Sequence, residues 1–124
     1  GENHGSWCCV PRQADIARGY KLDWRMHIEA LPVRSIRLVE KAQSAVRVRE
    51  LTACIRRHGI TVIPPIAVIL TAVGADVWDG HHRLLAARAA GFTSIPTVNR
   101  AAMRRADVAA YRRRVNAWRA KPAC

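Results

Sequence analysis

Apolar and polar positions change their period several times along the chain, and each change predicts an element. In Ile28, Leu31, Val33, Ile36 and Leu38 the second half of the pattern alternates, which predicts one half-buried strand near 32–38. Val48, Leu51, Cys54 and Ile55 then recur in steps of three and four, with arginines on the other faces and Gly59 at the end. That pattern predicts an amphipathic helix over 46–58. Pro64-Pro65 excludes helix, and the short apolar run Ile66 to Leu70 reads as a buried strand. Val73-Gly74-Ala75-Asp76 can turn the chain into a second short strand at Val77-Trp78. A helix over 82–90 follows, with Gly91 at its C-terminus, and Ile95-Pro96-Thr97-Val98 reads as a strand at an edge or with its proline at the start. Val108, Tyr111, Val115 and Trp118 mark the seam of a long helix from Ala101 to Ala120. Strands and helices in this order predict a small α/β (α+β) domain with a mixed sheet. It is bounded by an N-terminal extension (1–23) and a basic C-terminal helix (100–124), with the domain proper at 24–99.

At 124 residues the chain holds one core comfortably. The extension shows no sustained period beyond a possible helical turn near Asp15–Arg18, and its Trp7 is expected to pack. No apolar run reaches the roughly 18 to 20 residues of a membrane helix, so the expectation is a soluble protein with no membrane partner. Cys8, Cys9, Cys54 and Cys124 contain no C-x-x-C pair, and the expectation is reduced thiols with Cys54 a small core residue, one bridge being the alternative in an exported protein.

Charge alters the picture more than composition does. Lys and Arg number 21 against 9 Asp and Glu, a net +12, and from Arg100 onward eight basic residues face the single acid Asp107. A field of this sign attracts polyanions. Arg104, Arg105, Arg112, Arg113 and Arg114 are the candidate nucleic-acid contacts, although the same face could also be only solvated or meet an acidic protein.

The candidate site is Asp79-Gly80-His81-His82-Arg83, between a strand and a helix. Glycine there permits a sharp turn and leaves the first N–H groups of the helix, with the positive end of its dipole, open to an anion. Gly80, His81, His82 and Arg83 are thus the expected phosphate contacts, Arg83 as a bidentate fork and the histidines as donors whose charge changes near neutral pH. Asp79 suits an N-cap, a magnesium ion or a substrate hydroxyl. On this reading Arg83→Ala abolishes activity and spares the fold.

Leu31-Pro-Val-Arg-Ser-Ile36, Arg49-Glu-Leu51 through His58-Gly59-Ile60, Pro65-Ile66-Ala-Val68, and Asp79-Gly-His-His-Arg-Leu84 with Ala86-Ala87, Gly91 and Ile95-Pro96 together resemble the ParB/sulfiredoxin superfamily domain, in order and spacing, over about 68 residues. The resemblance implies a small α/β fold that grips nucleotide phosphates at a helix N-terminus, with ATP or CTP and magnesium as the expected cofactors. The family includes partition proteins that hydrolyse CTP, sulfiredoxins that use ATP, kinases of free serine and domains described as nucleases, so fold does not settle function. His81 stands where sulfiredoxins carry their catalytic cysteine, which argues against that chemistry. The helix-turn-helix domain of partition proteins has no counterpart in this sequence. The D-G-H-H-R form looks like that of the serine kinases, whose upstream glutamate acts as base; Glu40 is the candidate here, in a context, Leu38-Val39-Glu40-Lys41, that matches poorly.

Three functions follow as expectations. One is a nuclease or nucleoside triphosphatase acting on or with nucleic acid, toxin-like or partition-related, with Asp79, His81, His82, Arg83 and Glu40 as catalytic candidates. The others are a free-serine phosphotransferase and a non-catalytic nucleotide-switched module that binds DNA or protein. The expected setting is the bacterial cytoplasm, or secretion for a toxin domain.

Overall fold

The structure, a computed structural model, describes residues 24–40 and 44–121. The expected extension 1–23, with its turn near Asp15–Arg18 and Trp7, lies outside the described residues, as do Cys8, Cys9 and Cys124. A 3₁₀ turn at Trp24–His27 leads to β1 (Glu29–Pro32), a 3₁₀ turn at Val33–Ser35, β2 (Ile36–Arg37), α1 (Ala45–His58), β3 (Ile66–Thr71), β4 (Gly74–Asp79), α2 (His81–Ala89), β5 (Ser94–Asn99) and α3 (Arg105–Arg119). No helix among the described residues is long and apolar enough to cross a membrane.

The strands form one mixed sheet in the order β1-β5-β3-β4-β2. β1 runs antiparallel to β5 and β3 antiparallel to β4, whereas β3 with β5 and β2 with β4 are parallel. The single strand expected at 32–38 is therefore two strands on opposite edges of the sheet. Four strand spacings make about 19 Å across a flat sheet, but the step from Pro32 to Ile36 spans at most about 14 Å. The sheet must curl until its edges approach. Two contacts hold the crossing turn. Arg88 of α2 donates to the carbonyls of Val33 (3.2 Å) and Ile36 (2.6 Å), and Val33 N–H donates to the Thr93 carbonyl (2.9 Å). Alternation of side chains could not reveal this break, because the pattern continues through the turn.

β5 is also interior rather than an edge, with Pro96 at its third position. The proline is tolerated because the parallel pairing with β3 begins one residue later, at Ile66 with Thr97.

Both faces of the sheet are covered. Ile66 and Val68 point to the cluster under α1 and α2 with Leu51, Ile55, Leu84 and Ile95, while Ala67 between them joins Trp24, Val98, Met103, Tyr111 and Val115 under α3. This two-residue period explains the apolar run over Ile66–Val68, whereas Ile69 and Leu70, expected to be buried, are exposed where β3 runs beyond the covering helices. Ser44 caps α1, its hydroxyl accepting from Arg47 N–H (3.2 Å), and Gly59 closes it with φ +94°. Cys54 is in the core as expected, and it is disulfide-bonded. That corrects the favoured expectation of a reduced thiol and leaves the alternative of a bridge; helical period places a side chain in the core and is silent on its oxidation.

A Cβ on Gly74 would strike the Ser35 carbonyl of the crossing turn. Gly74→Ala is expected to cost about 1–3 kcal/mol through overpacking, lowering the urea midpoint with no change in slope; an unshifted midpoint would show that the turn yields freely.

Candidate functional site

Pro64 and Pro65 enter β3 fully inside the protein and present buried carbonyls, which must find donors. Arg83 supplies them. Its Nη1 donates to Pro64 (3.1 Å) and Pro65 (2.8 Å), its Nη2 donates to Asp79 Oδ2 (3.1 Å), and the residue is 1% exposed. The Tyr111 hydroxyl of α3 adds a second donor to the Pro65 carbonyl (2.8 Å); burial pushes that phenol up, so it stays protonated. The expected phosphate fork is thus turned inward as a tie among β3, β4, α2 and α3.

Asp79 is not the helix cap. Gly80 holds that position with φ +118°, and no side chain caps the helix. Asp79 pairs through Oδ2 with Arg83 and through Oδ1 with Arg119 (3.6 Å). Gly80 is required twice over: its backbone is left-handed, and a Cβ would lie 2.8 Å from that of Ile66.

The first turn of α2 opens into a cavity of about 190 Å³ lined by Glu40, Arg47, Leu51, Trp78, Asp79, Gly80, His81, His82, Arg83, Trp118 and Arg119. Glu40 is brought there by a hydrogen bond from its own N–H to His81 Nε2 (3.3 Å), and Ser44 N–H donates to His82 Nε2 (3.2 Å). Adjacent histidines thereby fasten the two ends of the β2–α1 connection to the helix. A ring nitrogen that accepts carries no proton, so each ring bears its proton on Nδ1 in this arrangement. Desolvation by burial holds His82 below the ordinary histidine value of 6.5, Arg47, Arg119 and His81 add to this, and Glu40 opposes it. His82 therefore gains its charge at lower pH than an ordinary imidazole.

Sequence reasoning missed Arg47 and Arg119, which carry the positive charge of the cavity. Arg47 lies over the Trp118 ring at 5.3 Å and Arg83 at 5.7 Å; Arg100 and Arg112 each lie 5.0 Å from the Trp78 centroid. The faint signal for Arg47 was its place three residues after the Ser44 cap. The five tail arginines do not act together. Arg104 is held by Asp107, whose Oδ2 accepts from the Arg104 backbone N–H (2.9 Å) and from its Nε (3.1 Å) at the start of α3. Arg112, Arg113 and Arg114 fan around the helix, so only Arg112 nears the site. Among the described residues no group of three His, Cys, Asp or Glu side chains could hold a metal.

No family model matches the sequence, and no curated protein does. Solved structures resemble the fold. C-terminally truncated ParB from Caulobacter crescentus, complexed with CTP-gamma-S, matches with a TM-score of 0.55 and 22% identity over 77% of this chain and 55% of that one. Sulfiredoxin from Arabidopsis thaliana matches at 0.51 and 29%, over 59% of this chain and 83% of that one. C-terminally truncated SbnI from Staphylococcus aureus matches at 0.53 and 25%, over 61% and 31%. The chain has a ParB/sulfiredoxin-like fold and spans about half the length of the ParB structure.

Arg83→Ala leaves the buried Pro64 carbonyl without its donor and takes one partner each from the Pro65 carbonyl and Asp79, an expected loss of about 1–3 kcal/mol in chemical unfolding, and Tyr111→Phe is expected to cost about 1 kcal/mol. Undiminished stability in Arg83→Ala would return Arg83 to the ligand. For His82, a folded pKa below the unfolded one means its contribution is complete above pH 6.5 and is lost as pH falls below that value toward the folded pKa. An imidazole titration by NMR should find its midpoint below 6.5; a midpoint above it contradicts the placement.

Proposed function

We propose that this domain binds a nucleotide by its phosphates at the N-terminus of α2 and carries out phosphate-ester chemistry on or with nucleic acid, as a nuclease or nucleoside triphosphatase. The observation that carries the proposal is the meeting of the uncapped first turn of α2 with Arg47 and Arg119 in one cavity. Backbone N–H groups, a helix dipole and two guanidinium groups converge there, the set an anion requires. At about 190 Å³ the cavity is smaller than the roughly 300–1,000 Å³ of pockets that enclose a whole ligand, so it suits the phosphate end, with sugar and base outside. The complex of the ParB relative with CTP-gamma-S supports a ligand of this class.

Roles follow from the geometry. Gly80, His81 and His82 present the backbone of the first turn, and each imidazole offers its Nδ1–H. Arg83 positions Asp79 and the loop. Glu40 and Asp79 are the carboxylates that line the cavity; a magnesium ion arriving with the nucleotide would be held by Asp79 together with phosphate and water, and would supply neutralisation of phosphate charge. Since both histidines use Nε2 to accept from backbone, the role of base falls to Glu40.

Glu40 in the cavity wall also favours a second reading, phosphoryl transfer from a nucleotide to a small hydroxyl acceptor such as free serine. Incubation with magnesium, each of ATP, CTP and GTP, and either supercoiled plasmid or labelled serine separates the cases by hydrolysis, nicking or phosphoserine. Turnover lost in Glu40→Gln supports an enzyme at this site, and phosphoserine alone selects the second reading. Binding without any turnover overturns both and leaves a nucleotide-responsive module for DNA or an acidic protein.

Arg47→Ala and Arg119→Ala are each expected to weaken nucleotide binding about tenfold, one charge-assisted contact apiece, as read by calorimetry. Bound anion should also raise the His82 titration midpoint, since negative charge favours imidazolium. Unchanged affinity in both variants places the phosphates elsewhere.

A further inference from the structure

Beyond the first cavity, α3 continues a line of charge. Arg105, Arg112 and Arg119 follow at steps of seven residues, two helical turns, and all three are exposed on one face. A second cavity of about 300 Å³ adjoins the first, walled by Trp78, Asp79, Arg112, Val115, Asn116 and Arg119. Trp78, Asp79 and Arg119 belong to both cavities. The Asp79 carboxylate faces any anion there, but Arg83 and Arg119 match its charge. Arg112 lies on the Trp78 ring, and a guanidinium stacked on an aromatic face is held in one plane with its N–H edge outward, so little freedom remains to lose when it meets a phosphate. Asn116, one turn from both Arg112 and Arg119, adds an amide to the same wall.

We propose that a single nucleic-acid strand lies along α3, with one phosphate in the first cavity and its neighbours on Arg112 and then Arg105. The inference rests on the phosphate reading of the first cavity and names its substrate as a strand. From Arg105 to Arg119 the row measures about 21 Å along the helix axis, a span that a single nucleotide cannot cover and a short extended strand can. A lone nucleotide would leave most of that row unused. The rigid cylinder of a duplex cannot enter two narrow adjoining cavities, whereas a single strand bends into them. Arg113, about 100° away around the helix, takes no part.

Fluorescence anisotropy with fluorescein-labelled oligothymidylates of two to ten nucleotides, beside calorimetry with a mononucleotide, tests this on the whole chain. Affinity should rise with length over the first several nucleotides and then level off once the strand spans Arg119 to Arg105. Arg112→Ala and Arg105→Ala should each weaken oligonucleotide binding about tenfold, lower the salt slope by about 0.7, and leave mononucleotide affinity unchanged, with Arg113→Ala matching wild type. Length-independent binding, or Arg112→Ala and Arg105→Ala both equal to wild type, overturns the strand path. Equal binding of a duplex or of polyglutamate also overturns it, the latter in favour of an acidic protein. Oligonucleotide binding that needs Arg112 in a protein with no mononucleotide affinity supports the strand path and refutes the phosphate reading of the first cavity.

Discussion

Two buried proline carbonyls and one buried arginine determine most of this structure. Pro64 and Pro65 have no N–H to place in a ladder, and their carbonyls lie where water cannot reach. Arg83 satisfies both, and its remaining reach fixes Asp79. The consequences spread outward. Gly80 must be glycine partly because Arg83 Cζ would stand 3.3 Å from a Cβ there, and the turn so made leaves α2 without a side-chain cap. An inward arginine thus opens the helix end while removing itself as its main charge.

The charge that an anion would meet is brought in from elsewhere, by α1 through Arg47 and by α3 through Arg119. Tryptophans make this possible. Trp118 packs against both core clusters and also carries Arg47, so the residue that seats α3 on the sheet aims a cation into the cavity. Trp78 does the same for Arg112 on the next wall. Arginine on aromatic faces costs less desolvation than a buried ion pair, because the guanidinium edge stays in contact with water. Packing and electrostatics are therefore supplied by the same side chains.

Legibility in the sequence followed the range of the interaction. Helix α1 was readable from its period and terminal glycine and α2 from its helix-forming residues and Gly91, all local signals, and the strand-glycine-helix turn at Asp79-Gly80 was readable for the same reason. Glu40 was singled out, and the structure brings it to the cavity, where its backbone N–H donates to His81. What failed was non-local. Whether Arg83 points outward or inward depends on carbonyls 18 and 19 residues away. The break between β1 and β2 depends on which strands pair, which alternation cannot encode. Three consecutive arginines look like a patch in the sequence and become a fan on a helix, whereas the row at steps of seven, Arg105, Arg112 and Arg119, is invisible unless the helix is drawn.

The two sides of the cavity are seated on different parts of the core. Among the described residues, α1 and α2 lie on the cluster that holds Leu51, Ile55 and Leu84, and α3 on the one that holds Tyr111 and Val115. Helix α3 bears Arg119, which lines the same cavity as Arg47, with Asp79 and Glu40 to offset their repulsion. An anion placed between the two arginines turns that repulsion into attraction on both sides and draws α3 toward α1. Ligand affinity and the seating of α3 are then one equilibrium, since anything that binds only the docked helix stabilises docking by its own binding free energy.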